Sequence, residues 1–392
     1  MHQRMQWYVD QEIMPGISTL VMRGVDVLDY QCFGYMDLES KTPLREDAIY
    51  RMFSNTKLVT SVALMMLHEQ GKFHLDDALA DFIPVFSDLK VLIKGATTID
   101  QVEALATPIT IRQVLSHSSG FSYGFVDPFS VIDRAYLKGG LNIIEGFDGD
   151  LEALTNKMAE FPLAFQPGTD WAYSLATDVA ARLVEVISGK RFDDFLQDNI
   201  FKPLGMIDTG FCVAEEKLDR LITLCAPNNL LKPMEPGLTQ IGKAGKGPTK
   251  PPAFLSGGGG LMSTVADYLT FIQMLVNGGE WKGVRVLQSK TLDLMRTNQL
   301  PEGVVVKFPA WDMHGTVFGL GFALKAQLTE DEPTAALGEY HWGGLAGTHS
   351  WMSPNGGPDG NISGICMTQV MPAFWHQFSH DFKQHAYELT AE

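Results

Sequence analysis

The chain has 392 residues, 45% hydrophobic and 19% charged, which suits one large or two ordinary domains and excludes a disordered polymer. Thirty basic against 46 acidic residues leave a net charge of −16, which argues against nucleic-acid and anionic-membrane partners and for a soluble enzyme. No run of about 18 apolar residues is present to span a bilayer, and Met1–Trp7 lacks the apolar core of a secretory signal, so a cytoplasmic location is expected.

The N-terminal segment predicts a helix and then a hairpin, with Ser18–Met22 and Val27–Phe33 flanking a turn at Gly24. Next comes Ser54-Asn55-Thr56-Lys57, opening the apolar run Leu58–Leu67, whose helical period predicts a buried helix ended by Gly71. Residues three apart share a helix face, with Cβ atoms about 5–6 Å apart, so the Lys57 amine reaches the Ser54 hydroxyl. Desolvating an ammonium is costly, and a lysine placed this way can take a proton from the serine. Poising it near neutral pH requires roughly 4–5 kcal/mol of bias from its surroundings. A second copy, Ser87-Asp88-Leu89-Lys90, follows Pro84, opens no helix and reads as solvated surface.

The middle of the chain reads as mostly helical. Leu175, Val179, Leu183 and Val186 share one period ending at Gly189, and Val265, Leu269, Ile272 and Leu275 share another, started by Thr264 and Asp267. Tyr173 follows the Pro167-Gly168 turn and precedes a helix capped by Ser174, where a phenol can share a proton with Lys57; a tyrosine packed in the core is the plainer alternative. Irregular loops are expected at Gly139-Gly140 and Ile241–Pro252.

Strands return at Val317–Ala323, Tyr340–Met352 and Asn361–Val370, the last two joined by the turn-rich Pro354–Gly360, with a final helix from Phe374 to Glu388. Strands at both ends with helices between predict a discontinuous α/β domain, 1–70 and 265–392, holding an inserted mostly helical domain, 71–264, with the active site at their junction. Within His341–Thr348, the glycines mark either close approach of a ligand, where an N–H pairs with that of Ser54 around an oxyanion, or a bulge that bends the sheet.

Other patterns read as structural. Gly120-Phe121-Ser122-Tyr123-Gly124 matches a nucleophile elbow, but a helix precedes it and a loop follows. Ser256–Gly260 lacks the Gly-Lys-Ser/Thr of a phosphate loop. His376 and His380 read as a surface helix rather than a metal site. The scattered Cys32, Cys212, Cys225 and Cys366 read as reduced, buried thiols.

Taken together, Phe53–Lys57, Leu115–Phe121, Phe165–Gly168, Pro203–Met206, Gly259–Asp267 and Trp342–Gly344 resemble the serine β-lactamase/penicillin-binding-protein superfamily over nearly the whole chain. The resemblance is strongest to its class C-like carboxylesterases, the family VIII esterases. It implies an α/β (α+β) fold with an antiparallel sheet flanked by helices, and no metal or organic cofactor. It also implies Ser54 as acylated nucleophile, Lys57 as its base or proton partner, Tyr173 as the second-motif tyrosine, and the Ser54 and Leu345 amides as oxyanion hole. Two departures matter: Leu175 stands where β-lactamases carry an Asn, and Trp342 where they carry a Lys. Both losses remove polar recognition of an anionic lactam, so a neutral small-molecule ester is the expected substrate. Tyr123, Phe125, Trp342, Gly343, Gly344 and Trp351 are the expected pocket residues. Acyl transfer to a non-water acceptor, β-lactam or D-amino-peptide hydrolysis, and non-catalytic binding are the alternatives; oligomeric state is not readable.

Overall fold

The two ends of the chain together build one sheet. The computed structural model describes residues 1–144, 146–242, 245–309, 311–330, 332–354, 362–374 and 376–388. Three N-terminal strands, β1 (Gly16–Arg23), β2 (Asp26–Asp37) and β3 (Thr42–Pro43), join five C-terminal ones: β4 (Thr316–Phe318), β5 (Ala323–Lys325), β6 (Tyr340–Gly344), β7 (Thr348–Met352) and β8 (Ile362–Met367). The order is β4-β5-β6-β7-β8-β1-β2-β3, antiparallel throughout. The two ends of the chain meet where β1 pairs with β8, Ser18 opposite Met367.

Alternation along β1 sends Leu20 and Met22 to one face and Ile17 and Val21 to the other. The first face packs on α2 (Thr56–Glu69), where Leu58, Val62 and Met65 are buried. The second is covered by α1 (His2–Asp10), through Met5 and Tyr8, and by the C-terminal helix Gln377–Glu388, through Phe378, Phe382 and Ala386. The central helix α3 (Ala176–Ser188) packs against α2 and ends at Gly189, whose φ of +70° suits glycine. Thr264 caps α4 (Val265–Val276) by accepting from the Asp267 N–H at 3.1 Å.

Several boundaries differ from expectation. The span Val317–Ala323 is the short hairpin β4–β5, because Gly319 N–H turns back to the Phe322 carbonyl at 2.8 Å. Tyr340–Met352 is likewise two strands; apolar patterning runs on through the Leu345–Gly347 turn and hides it. The N-cap position of α3 is Leu175, without a side-chain bond, and Ser174 one residue earlier accepts from the Ala176 N–H at 3.4 Å. Cys32 and Cys212 are only partly buried. His376 lies buried before the final helix, its Nε2 3.2 Å from the Pro233 carbonyl, rather than on a helix surface. The turn expected at 355–360 lies outside the described residues. Among the described residues no helix is long and apolar enough to cross a membrane.

Candidate active site

Ser54 sits on a 3-10 turn, Phe53–Asn55, that runs directly into α2. The residue before it, Phe53, has φ +46°. A bulky side chain in the left-handed region costs of order 1–3 kcal/mol and persists only where its surroundings hold it. The end of β6 provides that hold. A Cβ at Gly344 would lie 2.5 Å from the Met52 carbonyl and 3.1 Å from Phe53 Cβ, so only glycine lets the strand approach the serine turn so closely. Asn55 ties the serine turn to the next strand, β7, donating to the Thr348 carbonyl at 2.7 Å.

One turn after Ser54, at the start of α2, Lys57 is 2% exposed. Its Nζ donates to the Gly258 carbonyl at 2.7 Å, to Tyr123 Oη at 3.1 Å and to Ser54 Oγ at 3.3 Å. Three partners match the three donors of an ammonium. Deprotonated, the same amine keeps two donors and turns its lone pair toward the serine. Tyr173, from the loop before α3, donates to Ser54 Oγ at 2.6 Å and accepts from Trp342 Nε1 at 3.2 Å. The hydroxyl, the amine and the phenol therefore converge.

Leu345 follows the end of β6, and among the described residues its N–H makes no backbone hydrogen bond. Leu345 and Ser54 line the same cavity of about 320 Å³, together with Tyr123, Phe125, Ile143, Phe147 and Phe254. The mouth is open and the walls are mostly aromatic and aliphatic.

The expected pocket residues divide. Tyr123 and Phe125 line this cavity, their rings 4.6 Å apart. Trp342 stands behind Tyr173 instead of lining it. Gly343 packs on His349 and Phe374, and Gly344 on the serine turn. Trp351 is on the other face of the sheet, against Phe382. The pleat decides this: Ser350 points to the serine side and bonds Asn55, so its neighbour Trp351 must point away. Ser122 lies in a loop, its hydroxyl bonded to Asp133. Ser87, Asp88 and Lys90 are exposed.

Three parts of the site were not read from the sequence. The glycine run Ser256–Gly260 forms the wall beside Lys57, and Gly257 packs so tightly that a Cβ would lie 2.5 Å from Ala181 Cβ. Four glycines in a row are a signal for close backbone approach, beyond the phosphate-loop question. His117, with φ +57°, places Nδ1 2.9 Å from Ser174 Oγ and its ring 5.4 Å from that of Tyr173. Burial, assisted by the Lys57 charge, holds it well below the usual imidazole range. Asp178 is buried on α3, its acid raised by burial and partly restored by Lys57. Burial also pushes the Tyr123 phenol well up.

The Beta-lactamase family model matches residues 1–378. The chain belongs to the beta-lactamase family, and with its relatives it is an enzyme of serine-hydrolase type. It is 32% identical over 346 residues to Protein Rv1367c of Mycobacterium tuberculosis, covering 86% of this chain and 82% of that one. It is 30% identical over 356 residues to Esterase EstB of Burkholderia gladioli, again covering 86% and 82%. Other relatives bear the names of esterases and of acyltransferases. The fold matches that of EstCE1, described as a hydrolase with promiscuous acyltransferase activity, with TM-score 0.79 and 24% identity over 98% of this chain and 97% of that one.

Proposed function

We propose that the protein is a carboxylesterase that hydrolyses neutral carboxylic esters through an acyl-enzyme on Ser54. The observation that carries this reading is the convergence of Tyr173 and Lys57 on Ser54 Oγ, at 2.6 and 3.3 Å.

In this scheme Ser54 Oγ bonds to the ester carbonyl carbon while its proton passes to Lys57 or Tyr173. The carbonyl oxygen becomes an oxyanion between the N–H groups of Ser54 and Leu345. Collapse of the tetrahedral intermediate breaks the bond to the alcohol, which leaves with the proton. Water then attacks the acyl-enzyme by the same steps in reverse order. Trp342 Nε1–H, donating to Tyr173 Oη, steadies charge on the phenol oxygen as the proton moves.

The aromatic and aliphatic walls beside Ser54 support an ester over a β-lactam, since a buried lactam carboxylate without a cation is penalised by several kcal/mol. The esterase name of a relative matched over most of its length supports the same class. Relatives named as acyltransferases support transfer to an added alcohol as a second reading. The same proposal puts the cavity at the junction of the 71–264 segment with the rest, and places the enzyme in a reducing compartment such as the cytoplasm, given four free cysteines.

An ester panel decides the matter, with intact-mass detection of the trapped acyl group mapped to its residue. Turnover of p-nitrophenyl esters with a Ser54 adduct is expected. Faster turnover of a chromogenic cephalosporin sinks the esterase reading, and absence of any adduct with a serine-reactive phosphonate sinks catalysis altogether. Competing alcohols partition hydrolysis from transfer.

A further inference from the structure

Asp178, in the first turn of α3, is a fully buried carboxylate that the scheme above leaves without a role. Its Oδ1 accepts from Ser256 Oγ at 2.7 Å and from the Gly258 N–H at 3.1 Å. Its Oδ2 is equally buried and, among the described residues, accepts no hydrogen bond. A carboxylate oxygen closed off from water without a donor is expensive, and a fold that keeps one has a charge nearby to set against it.

Lys57 is that charge. The peptide unit of Gly258 lies between the two groups: its N–H goes to Asp178, and its carbonyl accepts from Lys57 Nζ at 2.7 Å. A Cβ built on Gly258 would lie 2.6 Å from Asp178 Oδ2, 3.1 Å from Tyr123 Oη and 3.2 Å from Lys57 Nζ. Carboxylate, phenol and amine thus face one another across a single glycine, with no space for a side chain. The remaining titratable neighbours are Tyr173, from the loop before α3, and His117, after the helix Ile111–Leu115.

We propose that Asp178 is a positioning residue for proton transfer at Ser54. Through Gly258 it fixes the carbonyl that orients the Lys57 amine, and through its open oxygen it supplies the counter-charge for the ammonium that Lys57 becomes. This inference rests on the acyl-enzyme reading. In the step itself, the proton leaves Ser54 Oγ as that oxygen bonds to the carbonyl carbon, and it arrives on Nζ. The Lys57–Asp178 pair passes from one negative charge to none, so the proton lands in a neutral pair instead of creating an isolated buried cation. The proton departs again with the alcohol.

Asp178→Asn keeps the outline and the Oδ1 acceptor but removes the charge; Asp178→Ala removes both. Acylation by a p-nitrophenyl ester, followed in a stopped-flow instrument across pH with melting curves alongside, reads the effect. We expect the Asn variant to acylate about 10–100-fold more slowly, at or below the lower end of a direct proton-transfer contribution, with KM nearly unchanged. The acid limb of kcat/KM, which belongs to the coupled cluster, should move about one unit to lower pH. The Ala variant should be slower still. If the Asn variant does not fold, Asp178→Glu carries the test, since it retains the charge but displaces it. For that Glu variant, slowed acylation on an unmoved acid limb supports the proposal, and a wild-type rate overturns it. A wild-type enzyme that forms no Ser54 adduct overturns the esterase reading and this inference with it. A wild-type enzyme that acylates while Asp178→Asn matches its rate and pH profile overturns this inference alone.

Discussion

The molecule builds a lysine, a tyrosine and a buried acid into one cluster twice, and the two clusters are wired differently. Beside the C-terminal helix, Glu339 is fully buried and takes one hydrogen bond on each oxygen, from Lys383 and from Tyr387. Every charge there is met head-on. Beside Ser54, Lys57 has two hydroxyls and a carbonyl, and the nearby Asp178 keeps one oxygen open. In both, burial raises the acid while the lysine pulls it back. In both, the lysine helps depress a neighbouring histidine, His117 in one case and His341 in the other. The difference lies in the proton. A direct ion pair has no place for an arriving proton, whereas an amine facing a hydroxyl and lacking a bonded carboxylate can gain or lose one.

This contrast can be broken experimentally. Ser54→Ala should reduce ester turnover to background and abolish the adduct seen by intact mass, which tests whether the open cluster serves that hydroxyl. Lys57→Met and Tyr173→Phe should each lower kcat/KM by about 10²–10⁴, checked by steady-state assay, with the fold retained by circular dichroism. Lys383→Met should leave turnover per folded molecule unchanged. It strands Glu339, and because Lys383 is 25% exposed the stability loss should fall near or below the lower end of the buried-pair range, about 2–3 kcal/mol by denaturant midpoint. A loss of activity there, with stability intact, would erase the distinction between the clusters.

A last test concerns pH. Burial first, and then Lys383 and Lys325, push His341 down to about 3. Its folded-state value is depressed, so below its ordinary 6.5 the unfolded chain binds a proton that the folded chain refuses. Stability is therefore full above about pH 6.5 and declines as pH falls toward 3, by at most about 1.4 kcal/mol per unit. His341→Gln should flatten that part of the stability–pH curve, measured by chemical denaturation from pH 7 to 4.

Much of this was legible in the sequence, for reasons that differ by residue. Ser54 and Lys57 lie three apart on one helix, so local geometry alone predicts their contact. Tyr173 was reachable because a Pro-Gly turn before a helix marks a projecting loop. Asp178 was not: four apolar neighbours at helical spacing describe α3, and nothing in that period shows which polar residue faces inward. Trp351 failed for a related reason. A face in a strand is set by register, and one residue separates the serine side from the opposite one. The hairpin hidden within Tyr340–Met352 went unread because apolar and small residues run on through its three-residue turn.

The pairing of β1 with β8 has a consequence for how the chain acquires its shape. The hydrogen-bonding edge of β1 is synthesised early, yet its neighbour, Ile362–Met367, is among the last segments to be made. Until then a long apolar strand emerging from the ribosome presents open donors and acceptors, the condition under which nascent chains pair with the wrong partner. Contacts this distant in sequence also make closure slow. Expression of this protein should accordingly depend on temperature and on holdase chaperones, and truncation before Ile362 should yield aggregates rather than a smaller active enzyme.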